Sequence, residues 1–520
     1  MYEVCQGMKG MIGLVLIGWC LAWVVTDGVA AETSTNASLS PRLERALADL
    51  SSDGEGTREQ AVGVLIEQGD ATLLPRVEEL RAHADRSLRM AIKPVADAWR
   101  NRANLTSPDA DQRRSAATDL GMSGRPAAIP WLEAAAADES HRWVRYAMDE
   151  SALLLKLASD DPAIKAQAAA TLGQLRSQNA VPALKDLLQA ASDVAATEQQ
   201  KTLGQVAATA IDQIESWNVW STAIETLFRG ISLSSILLIM SLGLAIVFGL
   251  MGVINMAHGE LMMIGAYATY VMQECFKLYA PPAWFDFYYL AALPASFLAA
   301  ALFGLILEAT VIRFLYGRPL ETMLATWGVS LILIQAARIY FGDLTAVSAP
   351  AWLNGGAQVM VGVFLPFNRV FIIGLSILCV TGIYALLFRS NVGLRVRAVM
   401  QNRNMSACLA IPTRKVDAYT FAFGSGLAGI AGWALTLVGN VEPGLGQNYI
   451  VDSFMVVVTG GVGKLAGTII ASLGIGGLNK LMEPSLGAVY GKVFILVLVI
   501  LFLQRRPSGL FAVKGRHAEG

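Results

Sequence analysis

The sequence predicts an all-α protein in two parts, a soluble α-solenoid of helical repeats followed by a polytopic α-helical membrane domain. Hydrophobic residues make up 54% of the 520 residues and charged residues only 16%, which is too apolar for an ordinary soluble protein. Most of the charged residues lie before residue 222, and long uncharged stretches follow. An alanine-rich motif that recurs in the first part predicts the repeats.

The N-terminus has the pattern of a secretory signal peptide. A basic residue, Lys9, precedes the apolar run 11–25, and the small residues 29–31 form a cleavage site. We therefore predict a signal peptide at 1–31, with Met8 as an alternative start. A retained membrane anchor is the other interpretation, but its apolar core is short for the ~20 residues that a span requires. Either way, the segment 32–216 is expected outside the cytoplasm.

Residues 32–216 are predicted to form the repeats. Alanines, a Leu-Gly pair and a Pro that opens a second helix return at the same offsets. The two clearest copies are 114–132 and 167–184. This pattern resembles HEAT-type helical repeats, which stack to bury their apolar faces. Isolated histidines here lack metal-ligand spacing, so we predict neither a metal site nor a catalytic group.

From residue 217 to 516 the sequence predicts membrane spans. Long apolar stretches occur at 223–250, 288–314, 369–388, 416–438 and 489–504, and shorter ones at 257–274, 323–341 and 453–482. We expect about eight full or partial crossings. Lys and Arg are enriched at 313–321, 389–415 and after 504, so these loops are predicted to be cytoplasmic. A short tail, 517–520, follows.

Polar residues inside apolar stretches mark candidate functional positions, because intramembrane polar groups are costly. The clearest case is a glycine-rich stretch that carries Asn255, His258 and Glu260, where we predict a broken helix. A membrane-edge loop is the alternative. Weaker candidates are Gln335, next to Arg338, and the pair formed by Asn440 and Glu442.

The cytoplasmic segment 391–411 alternates apolar and polar residues at near-helical spacing, and Pro412 ends it. We predict a basic amphipathic helix on the inner membrane surface. It would contact either lipid headgroups or an ATP-hydrolysing partner. The chain is not predicted to be an enzyme: around Gly463-Lys464, Val458 and Leu465 replace the Gly and Ser or Thr that a phosphate-binding loop requires.

Several motifs together resemble the ABC importer permeases for branched-chain amino acids. They are Gly243-Leu-Ala-Ile-Val-Phe-Gly249, Asn255-Met-Ala-His-Gly-Glu260, Gly265-Ala-Tyr267, Arg397-Ala398 with Gln401-Asn402, and Arg506-Pro-Ser-Gly-Leu-Phe511. The run 424–454 and the extracytoplasmic helical extension are similar to the urea-transporter branch. Ala410 departs from the pattern, since a Gly often precedes the Ile at this point, and Ala512 stands where the tail motif often ends in Gly.

The resemblance implies a multi-pass permease of the bacterial inner membrane with a periplasmic N-terminal domain. Its partners would be a second permease, two cytoplasmic ATPases that bind the ATP, an exported solute-binding protein and membrane lipid. No cofactor is expected in this chain. Coupling to an ATPase would fall to a helix from Arg395 to Ile411 that includes Arg397, Gln401 and Asn402. Asn255, His258 and Glu260 would lie on or beside the translocation path.

The expected solute is urea, because amides, backbone carbonyls and a neutral His suit a small uncharged molecule rich in donors and acceptors. Branched-chain or other amino acids are the alternative within the same class. A membrane-anchored sensor or scaffold is the alternative of another class, but a plain anchor needs one or two spans rather than eight.

Overall fold

A computed structural model describes residues 41–49, 55–68, 77–78, 81, 86–192 and 197–511. The predicted signal peptide and the tail 517–520 lie outside these residues. The described chain is predominantly helical, which confirms the predicted fold class. It divides into two compact units, one ending at Trp131 and the other beginning at Leu132.

The first unit contains helices α1 (Pro41–Asp49), α2 (Glu55–Gln68), α3 (Arg86–Asn104) and α4 (Ala110–Met122). Trp99 of α3 is fully buried in its core, together with Leu65 and Val95. Asp109 begins α4 by accepting a hydrogen bond from the Asp111 amide. Helix α5 (Ile129–Asp138) starts in this unit and continues into the second.

In the second unit, helices α6 (Arg142–Leu157), α7 (Pro162–Leu175) and α8 (Val181–Ser192) precede a long helix, α9 (Glu198–Met251). Asp161 caps α7, and the first helical position is a proline, whose missing N–H costs nothing there. Helices α7 and α8 bury Leu172 and Leu184 against the start of α9. Gly173 permits this approach, since a Cβ would lie 2.8 Å from the Cα of Ala210.

Helix α9 is 54 residues long, or about 80 Å at ~1.5 Å per residue. It runs without a break through the domain boundary predicted at 216/217. The change from water to membrane at this boundary stays a prediction. Trp217, at this predicted boundary, connects α9 to a later part of the chain, because its indole nitrogen donates to the Val361 carbonyl at 2.9 Å. The guanidinium of Arg176, at the end of α7, lies 3.8 Å from the centroid of the same ring.

Val361 lies in the turn of a β-hairpin. Strand β1 (Gly356–Met360) pairs antiparallel with β2 (Val363–Pro366), in the register Gly356 with Pro366 and Ala357 with Leu365, and an irregularity follows Gln358. The remaining helices are α10 (His258–Tyr279), α11 (Tyr288–Thr310), α12 (Pro319–Phe341), α13 (Phe367–Arg389), α14 (Asn391–Gln401), α15 (Arg403–Cys408), α16 (Thr413–Leu435), α17 (Leu445–Gly460) and α18 (Leu465–Arg505). Short 3₁₀ turns occur at Pro126–Ala128, Gln178–Ala180, Pro282–Phe287, Ile312–Phe314 and Ala351–Leu353.

Helix α18 contains a reversal of direction. Gly487 has non-helical dihedral angles, φ 78° and ψ 164°, which glycine adopts without strain. The stretch after it folds back, because Ile495 and Val499 share a core cluster with Ala471 and Ile475. The structure thus places α17 and both parts of α18 side by side, since Met455 and Val456 belong to the same cluster.

Five helical segments within the described residues are long and apolar enough to cross a membrane: Glu198–Gly249, Pro282–Phe314, Pro319–Phe341, Phe367–Arg389 and Leu465–Arg505. The predicted stretch 416–438 forms α16 but is not among them. Glycines, a serine and threonines make up much of α16, and these residues lower its hydropathy. The expected count of about eight crossings stays a prediction.

Helix α16 is nevertheless largely buried, with α9, α10 and α11 packed around it. Trp433 of α16 and Tyr289 of α11 connect these two helices by two hydrogen bonds. The indole of Trp433 donates to the Tyr289 carbonyl, and the phenol of Tyr289 donates to the Trp433 carbonyl, both at 3.0 Å. Gly265 of α10 and Gly429 of α16 let those two backbones touch. Helix α16 therefore fixes the position of α10.

Candidate functional site

The predicted interruption of the first membrane helix is present. Helix α9 ends at Met251, and Gly252 follows it with a φ of +64°, a left-handed conformation that favours glycine. The next helix begins only at His258. Asn255 stabilises the connection, since its Oδ1 accepts a hydrogen bond from the Ala257 amide at 3.0 Å. Its Nδ2 is buried and has no hydrogen-bond partner among the described residues.

Glu260 occupies the first turn of α10 and is only 1% exposed. Its Oε1 accepts a hydrogen bond from the hydroxyl of Ser330 on α12. Its Oε2 has no hydrogen-bond partner among the residues that the structure describes, and it lies against Gly446 of α17. Ser330 is near the middle of α12, so the carboxyl group sits about halfway along an apolar helix. A carboxylate at this depth is costly, which marks it as a functional candidate.

His258 lies in a different environment from Glu260, although both are in the first turn of α10. Its Nε2 is 3.3 Å from the carbonyl oxygen of Met240 on α9, and its ring packs against Gly243. The side chain is fully buried. Positions 258 and 260 are ~200° apart around a helix, so the two side chains contact different neighbours. The structure therefore brings Glu260 next to α12 and places His258 against α9.

Three buried hydroxyl groups lie on one face of α12, and two of them, those of Thr326 and Ser330, contact this interruption. Thr322, Thr326 and Ser330 are buried and one helical turn apart. The Thr326 hydroxyl accepts from the Met256 amide at 3.1 Å, and the Thr322 hydroxyl is 3.0 Å from the Leu315 carbonyl. Sequence analysis did not single out these residues. The signal that could have found them is the i, i+4, i+8 spacing of hydroxyls inside an apolar helix.

The polar groups here form no charge pair. Glu260 has no ion-pair partner among the described residues, and its neighbours supply hydroxyl and amide groups. Buried polar atoms normally have a hydrogen-bond partner, so the free atoms of Glu260 and Asn255 can bind water or a polar solute. We call Asn255, Glu260, Thr322, Thr326 and Ser330 the interruption site.

Other predicted residues lie outside the interruption site. Gln335 is exposed on α12, where its amide oxygen accepts from Arg338 at 3.4 Å. Asn440 is exposed, and Glu442 accepts from the Asn448 amide at 2.9 Å. No hydrogen bond or ion pair between described residues connects these three candidates to Glu260.

The predicted cytoplasmic helix is two helices rather than one. Asn402, between α14 and α15, has an extended conformation, and its Oδ1 accepts from the Met405 amide at 2.9 Å. An Asn in this position begins a new helix and ends the old one. The expectation of a single helix across 391–411 is therefore wrong.

The loop is anchored on one side and open on the other. Val396 and Val399 of α14 are buried with Val416 of α16, and Met251 and Ile411 pack against this cluster. Arg395, Gln401 and Asn402 are exposed, and Arg397 is half-buried with its guanidinium 5.0 Å from the centroid of the Phe388 ring. The open side thus presents the polar residues that sequence analysis assigned to partner contact.

Ala410 has a φ of +59°, an uncommon conformation for a residue with a Cβ. Its amide donates to the Ala407 carbonyl, and the next amide, that of Ile411, donates to the Ser406 carbonyl, both at 3.1 Å. This is a turn in which glycine is favoured. The geometry explains why Gly is expected at this position.

Comparison with known proteins identifies the same region. Residues 226–503 match the family model described as branched-chain amino acid transport system / permease component. Residues 112–138 and 164–190 match the PBS lyase HEAT-like repeat, which overlaps the predicted repeats. The chain is 28% identical over 293 residues to the high-affinity branched-chain amino acid transport system permease protein BraD of Pseudomonas aeruginosa, covering 55% of this chain and 95% of that protein. It is 26% identical over 296 residues to LivH of Escherichia coli, a permease protein of the same kind, covering 55% and 94%.

Proposed function

Because the chain belongs to the family of branched-chain amino acid transport permeases, we propose that it is the membrane-spanning permease subunit of an ATP-driven importer. The observation that carries the proposal is the coincidence of the family match, residues 226–503, with the interruption site between α9, α10 and α12. Broken helices whose polar groups meet at membrane depth are typical of substrate paths. Five membrane-capable helical segments support a multi-pass inner-membrane location.

The interruption site is proposed as the part of the path contributed by this chain. Two hydroxyls of α12 contact the interruption directly: Thr326 accepts from the Met256 amide, next to Asn255, and Ser330 donates to Glu260. A solute that carries both donors and acceptors can replace water on the free Asn255 Nδ2 and Glu260 Oε2 atoms. His258, fully enclosed between helices, would hold α10 in place rather than contact solute.

Energy would come from partner subunits that bind ATP. We assign contact with a cytoplasmic ATPase to the open side of α14 and α15, which includes Arg395, Arg397, Gln401 and Asn402. This loop also touches the interrupted helix: Met400 of α14 and Met251 at the end of α9 pack against one cluster. A shift of α14 by an ATPase would therefore reach the interruption site through direct packing. A second permease and an exported solute-binding protein complete the proposed importer.

The solute is proposed as urea, with branched-chain amino acids as the second candidate. Urea is supported by the uncharged hydroxyl and amide groups around a single unpaired carboxyl, since a small neutral molecule needs hydrogen bonds but no charge pair. Branched-chain amino acids are supported by the names of the similar permeases. In both cases the N-terminal repeats are proposed to lie in the periplasm, where they could dock the binding protein.

Uptake of labelled urea and labelled leucine, measured in cells with and without the gene, distinguishes these solutes. We expect urea uptake to fall on deletion and leucine uptake to persist. Loss of leucine uptake alone would assign the second solute, and loss of neither would remove the importer proposal. As a further check, the purified chain in vesicles should move neither solute without its partners and ATP.

A further inference from the structure

A groove of about 300 Å³ opens beside the cytoplasmic loop. Its wall is apolar and comes from three helices, with Ile246 of α9, Leu387 of α13 and Phe423 of α16. Ile246 and Leu387 belong to segments apolar enough to cross a membrane. The wall of the groove therefore lies next to the part of the fold that hydrocarbon would surround.

The rim of the groove is basic. Arg395 of α14 and Lys415 of α16 line it, and both side chains are exposed. Neither has a hydrogen-bond or ion-pair partner among the described residues, and no acidic residue lines the groove. These two cations therefore have no counter-charge from the part of the chain that the structure describes.

An apolar wall below two unpaired cations matches the chemistry of one molecule, an anionic phospholipid of the cytoplasmic leaflet. We propose that this groove binds such a lipid, with an acyl chain against Ile246, Leu387 and Phe423 and the phosphate between Arg395 and Lys415. Basic residues at a membrane surface attract anionic headgroups, while the apolar wall excludes a free anion as the main ligand. The inference does not depend on the solute. It assigns Arg395 to a lipid phosphate and leaves the proposed ATPase contact to Arg397, Gln401 and Asn402, which do not line the groove.

The lipid would also connect the loop to the membrane. Arg395 belongs to α14, and Lys415 belongs to the first turn of α16, so one phosphate would bridge the two elements on either side of the α15 turn. Since α14 packs on the end of α9, the occupied groove would hold the loop in a defined position. A zwitterionic lipid would bind less well, because its ammonium group adds a like charge near the two bases.

The test is a titration of the purified full-length chain in neutral detergent, read by native mass spectrometry. The probes are dioctanoyl phosphatidylglycerol, dioctanoyl phosphatidylcholine and glycerol 1-phosphate. We expect phosphatidylglycerol to bind at least about tenfold tighter than phosphatidylcholine, since each base contributes about fivefold, equivalent to about 1 kcal/mol. Glycerol 1-phosphate should not displace the lipid, because it cannot use the apolar wall. Displacement by it would reduce the groove to a simple anion site and overturn the proposal.

Variants locate the lipid. Lys415→Gln and Arg395→Gln should each weaken phosphatidylglycerol binding about fivefold. Arg414→Gln is the matched control, because Arg414 is the exposed neighbour of Lys415 and does not line the groove. Val392→Trp should block binding by filling the mouth, where Val392 is 55% exposed, without changing the charge. Equal losses for Arg414→Gln and Lys415→Gln, or full binding by Val392→Trp, would contradict the proposal.

Discussion

A close approach between α10 and α16 offers a direct test of the packing around α16. A Cβ added at Gly265 of α10 would lie 2.2 Å from the carbonyl oxygen of Gly429 on α16 and 2.4 Å from its Cα. Ordinary van der Waals contact begins at about 3.4 Å. Gly265→Ala therefore forces the two backbones apart by about 1 Å, and neither atom belongs to a side chain that could rotate away.

The cost follows from two opposing effects. Overpacking of a close-packed interior costs about 1–3 kcal/mol. Replacing a helical Gly by Ala recovers about 0.5–1 kcal/mol of backbone entropy. The overpacking cost exceeds the gain in backbone entropy, so the net destabilisation of the folded protein is about 1–2 kcal/mol. The matched control is Gly374→Ala on α13, where nothing lies within 4 Å of the added Cβ, so that only the favourable effect applies.

The measurement is the melting temperature of each purified variant in detergent, taken as loss of the monodisperse peak after heating. At ~2–4 °C per kcal/mol, Gly265→Ala should melt about 2–8 °C below the wild type, and Gly374→Ala slightly above it. If Gly265→Ala melts as high as Gly374→Ala, the two helices do not pack as closely as described. The central role of α16 would then be wrong.

Further expected outcomes concern the loop, the repeats and the site. Ala410→Gly should raise the melting temperature, because it relieves a left-handed conformation worth about 1–2 kcal/mol; an unchanged value would contradict the turn geometry. Burial raises the pKa of Glu150, outweighing the hydrogen bonds from its neighbours, so the folded protein holds this proton more tightly than the unfolded chain. Stability of α6 should therefore fall as pH rises from about 4.5 through the raised pKa. Amide exchange in α6, corrected for intrinsic rates, should show this fall in the wild type and not in Glu150→Gln; equal slopes would exclude the effect. Ser330→Ala should reduce uptake by leaving a buried carboxyl oxygen without its donor, whereas Ser376→Ala, which loses only a bond within its own helix, should not. Arg397→Glu should abolish co-purification of the ATPase without affecting membrane insertion, and normal ATPase recovery would count against the coupling assignment.

The interruption after α9 was predictable from the sequence, but the hydroxyl residues of α12 that contact it were not. Glycines and polar residues between 249 and 260 break an apolar run, and hydropathy detects this directly. Thr322, Thr326 and Ser330 escape the same test, because hydroxyl side chains are nearly neutral in hydropathy and α12 still reads as a span. Only their four-residue spacing separates them from scattered small residues, and only the fold shows what they face.

His258 and Glu260 were predicted to lie together on or beside the translocation path because they are close in the sequence. His258 and Glu260 are two residues apart, yet a helix sends them toward different neighbours, α9 and α12. The single helix expected across 391–411 failed for a local reason. Asn402 satisfies an amide of the following turn with its own side chain, and this bond competes with continuation of the helix.

Helix α9 crosses the domain boundary predicted at 216/217, and the two findings do not conflict. The boundary was predicted from the composition of the chain, which depends on the surrounding solvent, whereas the helix is defined by its backbone hydrogen bonds. Charged residues become scarce after Arg229, which indicates a change from water to hydrocarbon. Backbone bonding is indifferent to that change, so a helix can begin among the repeats and end at the interruption site. Since α7 and α8 pack on its first part and α16 on its last, a force on the repeats would act along one unbroken helix. Helices α7 and α8 and the interruption site are therefore connected through one continuous helix.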